Sequence, residues 1–394
     1  MAGPMNAASP SRAGWALVLP LVAFIVIAFL APIATMFLRS VHDPEIADLM
    51  PRTRQALAQW DGAGVRQVAF DAVSADLQEA NATNQIGRLA QRLNREQNGL
   101  RRLIDVTARQ LQQNPDTQLA RIDPGWSDPD LWRILARVTS PWTGRHLLNA
   151  LDVTVTADGA LVRQEEARRL YVDLFLRTAW VAALVTLICA LLGYPYAYAM
   201  AASGPSLRTL LLFLVLLPFW TSLLVRATAW IVLLQRRGVI NEGLLAMGLI
   251  SETGRLDLIY NMTGTIIVMV HVLLPFFVLP LYSVMAGLPT SYVRASASLG
   301  AHPLRTFARV YLPLTYPGVA AGGLLVFILS LGYYVTPALV GGRTGQLISN
   351  QIAFHMQRSL NWGLAAALGT LLLLAVLLLA LTLPRLAERG GLRA

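Results

Sequence analysis

The chain has 394 residues, 55% hydrophobic and 14% charged, with a formal net charge of +10. Soluble domains carry roughly 25% charged residues, so this composition excludes an ordinary soluble enzyme and any disordered or fibrous class. All 32 basic residues are arginine, and no basic stripe interleaved with aromatics accompanies them, so the excess charge points to anionic lipid headgroups and not to nucleic acid.

A short polar N-terminus, residues 1–14, leads into the first of six segments long and apolar enough to cross about 30 Å of hydrocarbon at about 1.5 Å per residue. The six lie at Trp15–Leu38, Leu176–Met200, Thr209–Leu233, Thr263–Gly287, Val319–Val340 and Leu364–Leu383. Arg12 before the first gives it the look of a signal peptide, but its apolar run is longer than a signal h-region and five more spans follow, so it is expected to stay as an anchor. The fold class that follows is an all-α polytopic membrane protein with six transmembrane helices and a large insertion after the first. With the N-terminus inside, the inner segments carry eight arginines (12, 208, 294, 305, 309, 385, 389 and 393) against Glu388, and the two short outer loops carry five against three acids. The bias places both termini, including the tail 385–394, in the cytoplasm.

Residues 39–175 then form an extracytoplasmic loop domain. Within it Ile86, Leu89, Leu93, Leu100, Leu103 and Leu111 recur at helical spacing, predicting one amphipathic helix from about Val73 to Gln112, with Trp126, Trp132, Trp142, Leu147 and Leu148 to cover its apolar stripe. Asp152–Gln164 alternates around an Asp-Gly pair and reads as a short hairpin. This domain is expected to be a packing element, with contact to a solute-delivery protein as the second reading. The remaining chain, 176–384, forms the membrane core with five of the spans. Its Cys189, the only cysteine, lies in an apolar run and reads as a small buried hydrophobe; five scattered histidines have no ligand spacing, so no metal site is expected.

Between the fourth and fifth segments, residues 288–317 read LPTSYVRASASLGAHPLRTFARVYLPLTYP. Tyr292–Leu299 can form a short helix, Gly300 permits a turn, Pro303 can start a second helical piece, and Pro313 and Pro317 are expected to delimit entry into the fifth span. A short helix held at the membrane surface by such an elbow can pass a push from a cytoplasmic partner to the spans.

Arg294-Ala295-Ser296-x-x-Leu299-Gly300, followed by Phe307, Val310, Leu312-Pro313 and Pro317, resembles the EAA signature of binding-protein-dependent ABC importer permeases of the MetI-like type. Gly193-Tyr194-Pro195-Tyr196-Ala197-Tyr198 and the run from Leu217-Pro218-Phe219-Trp220 through Arg226 to Trp230, with Gly238-Val239-Ile240-Asn241 beyond, resemble its spermidine/putrescine branch. The resemblance covers about residues 10–40 and 165–390 and leaves most of the insertion without a counterpart. It implies coupling to an ATPase through Arg294, Ala295, Ser296, Leu299, Gly300, Phe307 and Pro313. Arg294 stands where the family usually has glutamate, and Ser296 where it has a second alanine; an arginine in a first turn opposes the helix dipole by roughly 0.3–1 kcal/mol, too little to abolish the helix. The partners implied are an ABC ATPase dimer that binds ATP and Mg, a second permease subunit that is a different chain, and an extracytoplasmic solute-binding protein, in a bacterial inner membrane. This chain has no G-x-x-x-x-G-K-[ST] phosphate cradle, so it is expected to bind no cofactor and to catalyse no covalent step.

Polar groups inside spans are costly, which marks Trp220, Thr221, Arg226, Trp230, His271, Tyr333 and Tyr334 as candidates for the solute pathway or gate. Snorkelling of Arg226 and an interfacial role for the tyrosines are the competing explanations. The branch favours a small cationic amine, although no acid lies inside these spans, and selection is therefore expected to reside mainly in the binding protein. Other cargoes of the same family (an amino-acid derivative or opine, a phosphonate, thiamine or ferric iron) stay open. An ion-coupled secondary transporter would call for inverted repeats, which the two halves do not display. A membrane-anchored sensor would leave the proline-bounded loop unexplained.

Overall fold

The computed structural model describes residues 12–60, 62, 64, 67–156, 159–166 and 169–389. The expected cytoplasmic N-terminus up to Ser11, the end of the tail from Gly390, and Asp158 of the Asp-Gly pair lie outside the described residues. The chain forms two compact units, Met1–Arg169 with Leu360–Thr370, and Leu170–Ser359 with Leu371–Ala394.

The first unit begins with the first span, Val18–Val41, whose apolar side chains are exposed nearly all round, as lipid-facing residues should be. The expected single amphipathic helix after it is instead three: Gln67–Ala82, Ile86–Asn94 and Leu100–Gln113. The breaks fall at Asn84 (φ 56°) and Gly99 (φ 101°), two residue types that tolerate left-handed backbone, and they let the stripe fold back on itself. Val73, Leu77, Leu89, Leu93, Ile104 and Leu111 thereby share one core with Trp126 and Trp132. Both indoles are satisfied inside it: Trp126 Nε1 donates to Thr107 Oγ1 (2.9 Å) and Trp132 Nε1 to the Trp126 carbonyl (2.8 Å). Trp142 does not cover the stripe; it is 63% exposed, with its ring 4.8 Å from that of His42. Leu147 and Leu148 are only half-buried. The hairpin forms as expected, Val153–Val155 pairing antiparallel with Leu161–Arg163.

Several buried polar groups in this unit are paired, although Arg137 Nε has no partner among the described residues. Asp76 accepts from the Thr53 amide and hydroxyl, both at 2.7 Å, and from the Arg52 amide at 3.3 Å, supplying the cap that Met50 cannot give to the helix Pro51–Leu57. Arg92 donates to Asp43 (2.5 Å) and Glu96 (2.6 Å), Arg145 pairs with the same Glu96, and His146 Nε2 lies 3.1 Å from Asp43. Burial alone would raise the Asp43 carboxyl, but hydrogen bonds and charge from His146 and Arg92 outweigh it and hold it well below the usual carboxylate range. Burial lowers His146, partly opposed by its bond to Asp43, and with the neighbouring Arg92 charge pushes Arg145 down to about 9.

In the second unit the spans Tyr171–Ala202, Met262–Gly287 and Pro303–Leu331 pack on one another. Phe277 is fully buried where they meet, and Gly193 and Gly322 are the residues that let their helices approach it. Cys189 is buried as expected.

Two expected spans differ. Thr209–Leu233 does not run as one helix: Pro205–Trp220 and Leu223–Ala246 meet at an angle of 101°. Pro218 lacks an amide hydrogen, Thr221 and Ser222 are extended, and the Ser222 hydroxyl caps the new helix by accepting from Val225 (3.2 Å). The fifth helix is displaced towards the N-terminus from Val319–Val340; it begins at Pro303, ends at Leu331, and is followed by the separate short helix Val335–Val340. Pro313 and Pro317 therefore do not delimit this span but lie within it. A π-turn at Phe307–Tyr311, closed by the Leu312 amide on the Phe307 carbonyl, sits just before Pro313. Such a turn leaves one carbonyl without a helical donor, which is what a proline also requires.

Candidate functional site

The loop between the fourth and fifth spans carries the helix Thr290–Ser298, none of whose residues is buried. It ends in a closed turn: the Ala301 amide bonds the Ser296 carbonyl (3.2 Å) and the Gly300 amide the Ala297 carbonyl (2.9 Å). That pattern needs left-handed backbone at the intervening residue, which Gly300 supplies at φ +76°. Leu299 is thrown outward at the apex, 88% exposed, and Leu304 follows at 73%. The Ser296 and Thr306 hydroxyls, 2.9 Å apart, tie the loop helix to the start of the fifth span.

Arg294 lies on the exposed surface of the loop helix, its Nη2 bonded to Thr290 Oγ1 (2.8 Å). It has no carboxylate partner among the described residues, nor have Arg305 and Arg309. Phe307 anchors the base of the elbow: its ring stacks near Tyr311 (6.1 Å) and meets Tyr194 (5.9 Å) and Tyr198 (6.3 Å) edge-on. Tyr194 hydroxyl reaches Thr315 Oγ1 at 2.9 Å. A cavity of about 260 Å³ lies between this ring cluster and the loop helix, lined by Tyr198, Val293, Ala297, Pro303, Phe307 and Tyr311.

The structure thus brings together Arg294, Ala295, Ser296, Leu299, Gly300 and Phe307. Pro313 stands apart, within the fifth-span helix after the π-turn. The tyrosines behind the elbow are a part of the site that the loop sequence by itself misses; their signal is spacing, Tyr194 with Tyr198 and Phe307 with Tyr311, each pair four apart on one helix face.

The pathway candidates converge in part. Arg226, on the helix Leu223–Leu234, reaches back over the break: its Nη2 donates to the Pro218 carbonyl and to the Thr221 carbonyl (2.9 Å), and its Nε to Thr221 Oγ1 (3.3 Å). Trp220 sits on the turn before the break, 67% exposed, with its ring 5.0 Å from Phe213. Trp230 Nε1 donates to His271 Nδ1 (3.0 Å), which joins the broken span to the fourth. Trp230 and Tyr333 pack against one buried cluster of Leu234, Val268, Val272 and Val340, and Arg226 is within electrostatic reach of both His271 and Tyr333. Tyr334 does not join them; its carbonyl accepts from Asn350 (3.3 Å) and its ring is partly exposed. Asn241 is a buried polar residue beyond the expected span; it bonds the Gln235 carbonyl and both polar backbone groups of Leu256, closing the loop between the third and fourth spans.

Residues 190–389 match the family profile described as binding-protein-dependent transport system inner membrane component. The spermidine/putrescine transport system permease protein PotB of Haemophilus influenzae is 38% identical over 220 residues, 54% of this chain and 76% of that protein. The inner membrane ABC transporter permease protein YdcU of Escherichia coli is 33% identical over 268 residues, 64% of this chain and 83% of that protein. Among solved structures, a chain of a bacterial ABC transporter involved in the import of the acidic polysaccharide alginate aligns with a TM-score of 0.48 at 18% identity, over 64% of this chain and 86% of that one. The matched half of the sequence contains the exposed loop helix, the broken span and the tyrosine cluster, and the chain belongs to the binding-protein-dependent transport system inner membrane components, the multi-pass permease subunits of ABC importers.

Proposed function

We propose that this permease carries a small cationic amine, of the spermidine/putrescine class, inward by alternating access driven by a separate ATPase. The observation that carries the reading is the 38% identity to PotB across three quarters of that protein. In this reading the loop helix is the coupling contact, with Leu299 at its tip seated in the ATPase and Arg294, Ala295, Ser296 and Gly300 shaping the contact. Phe307 and the tyrosines behind it carry the displacement into the second and fifth spans. The chain itself binds no nucleotide and performs no covalent chemistry; ATP and Mg belong to the ATPase dimer. A second permease chain completes the pore, and a solute-binding protein delivers the cargo on the outer side. Both termini lie in the cytoplasm, which puts residues 39–175 outside, where their closed core and paired charges suit a rigid packing element beside the delivery protein.

Trp220, Thr221, Arg226, Trp230, His271 and Tyr333 would border the solute path. One observation favours a second reading within the same family. No Asp or Glu lies between Leu174 and Ala202 or in the segments 205–234, 262–287, 303–331 and 362–382, so the spans offer a cation no carboxylate, and an amino-acid derivative, opine or phosphonate would meet Arg226 directly.

Purification through a tag on this chain, with partners identified by mass spectrometry and calorimetry of the recovered binding protein, separates these readings. An ATPase, a second permease and polyamine binding are expected. The same subunits without polyamine binding would move the cargo, and solute exchange by this chain alone without ATP would refute the importer mechanism.

A further inference from the structure

The half-helix Pro205–Trp220 ends where the chain breaks at Thr221 and Ser222, so no further helical turn donates to its last carbonyls; from the chain beyond, the Thr221 hydroxyl donates to the Pro218 carbonyl (3.0 Å). Such an end carries partial negative charge and attracts cations. It already holds one. Arg226 donates to the Pro218 and Thr221 carbonyls and to the Thr221 hydroxyl, and no carboxylate faces it among the described residues.

We propose that the Arg226 guanidinium occupies the place of the transported ammonium group and is displaced by it, so that the carbonyl cluster at Pro218–Thr221 is an ammonium site whose resident cation belongs to the chain. This inference rests on the cationic-amine reading above. The acceptor set is two carbonyls and a hydroxyl with no acid, which suits a donor-only group: guanidinium offers five N–H donors and an alkylammonium three. Trp220, which ends the same half-helix, is 67% exposed, and Tyr333 lies within electrostatic reach of Arg226; aromatic faces of this kind take an organic cation without a counter-charge. Two cations at contact distance with no carboxylate between them repel, so an arriving ammonium expels Arg226. Expulsion also undoes the clasp across the 101° break, leaving the two half-helices joined through the extended residues Thr221 and Ser222, and in this way occupancy of the site sets the angle of the span.

The test uses the intact complex in proteoliposomes with spermidine and putrescine as cargo. Arg226→Gln keeps amide donors for the carbonyls but removes the charge. It is expected to lower KM for the amine by about tenfold, the scale of like-charge repulsion removed at close range, and to make uptake sensitive to added guanidinium ion, which the wild type ignores. Arg226→Lys is expected to keep KM near the wild-type value. An unchanged KM in Arg226→Gln, with only a lower maximal rate, overturns the inference. Should that variant fail to assemble, modification of the wild-type complex by phenylglyoxal decides: saturating amine is expected to speed labelling of the Arg226 peptide, and protection or no change overturns the proposal. A wild-type complex that takes up no amine refutes the cargo reading as well, whereas amine uptake with these negative results refutes the inference alone.

Discussion

Gly322 faces the fourth span across a distance that leaves no room for a side chain. A Cβ placed there would lie 2.7 Å from the Phe277 carbonyl oxygen and 3.2 Å from its Cα, against an ordinary contact near 3.4–4 Å. The obstruction is backbone, so it yields only if the helices Met262–Gly287 and Pro303–Leu331 move apart by several tenths of an ångström. The cost of overpacking is about 1–3 kcal/mol, and alanine recovers about 1 kcal/mol of helix propensity relative to glycine. Gly322→Ala is therefore expected to destabilise by up to about 2 kcal/mol, and Gly322→Val, which adds bulk and loses that gain, by about 3 kcal/mol. Gly323, one residue on, is the internal control: its nearest atom is Thr186 Cγ2 at 3.7 Å, so Gly323→Ala is expected to be neutral or stabilising by up to about 1 kcal/mol. Unfolding of the purified permease in mixed micelles, titrated with denaturing detergent, gives the comparison. Equal stability of Gly322→Val and the wild type would refute the close approach of these two helices.

Other substitutions probe the loop and the insertion. Leu299→Asp alters a residue that touches little of its own chain, so stability should hold while ATPase recovery with the tagged permease and amine uptake both fall. Gly300→Val forces a branched residue into left-handed backbone at about 1–2 kcal/mol, and is expected to reduce uptake without expelling the chain from the membrane. Asp76→Ala strands three donors at the start of the helix Pro51–Leu57 and should cost about 3 kcal/mol, read as faster proteolysis of the insertion in the full-length protein. The insertion should also weaken in acid. His146 is held below its ordinary 6.5, so the unfolded chain binds a proton there before the folded one does, and stability falls as the pH drops past that value. Asp43 is held below its ordinary 3.8, so its contribution is complete above about pH 4 and is lost on further acidification. Trp126 and Trp132 fluorescence followed through thermal melts at pH 4 to 8 should register the first loss, and His146→Asn should flatten it.

The membrane character, the exposed loop helix and the turn at Gly300 were legible because each depends on local chemistry: long apolar runs, small residues, and a glycine where only left-handed backbone fits. The break at Thr221–Ser222 was not, since Thr221 and Ser222 interrupt the apolar run from Leu210 to Leu234 only briefly, and what holds the bend is a side chain four residues later folding back. The fifth helix was set too late for a related reason. Prolines at 313 and 317 read as boundaries when taken singly, but the π-turn that absorbs the first of them has no signature in composition. In the insertion the period of the leucines was right and the continuity wrong, because Asn84 and Gly99 mark turns only once the stripe has something of its own to fold against.

The π-turn at Phe307–Tyr311 lies between the exposed tip at Leu299 and the part of the fifth helix that packs around Phe277. A helix with one surplus residue in a turn is not a plain rod: if the turn tightens to ordinary α geometry, everything beyond it is rephased by one residue, about 100°. Were the turn to tighten, pressure along the axis at the tip would become rotation farther in, as in a threaded joint. Phe307 and Tyr311 bound that joint, and their rings lie against Tyr198, so the neighbouring helix carries the bearing on which it would turn.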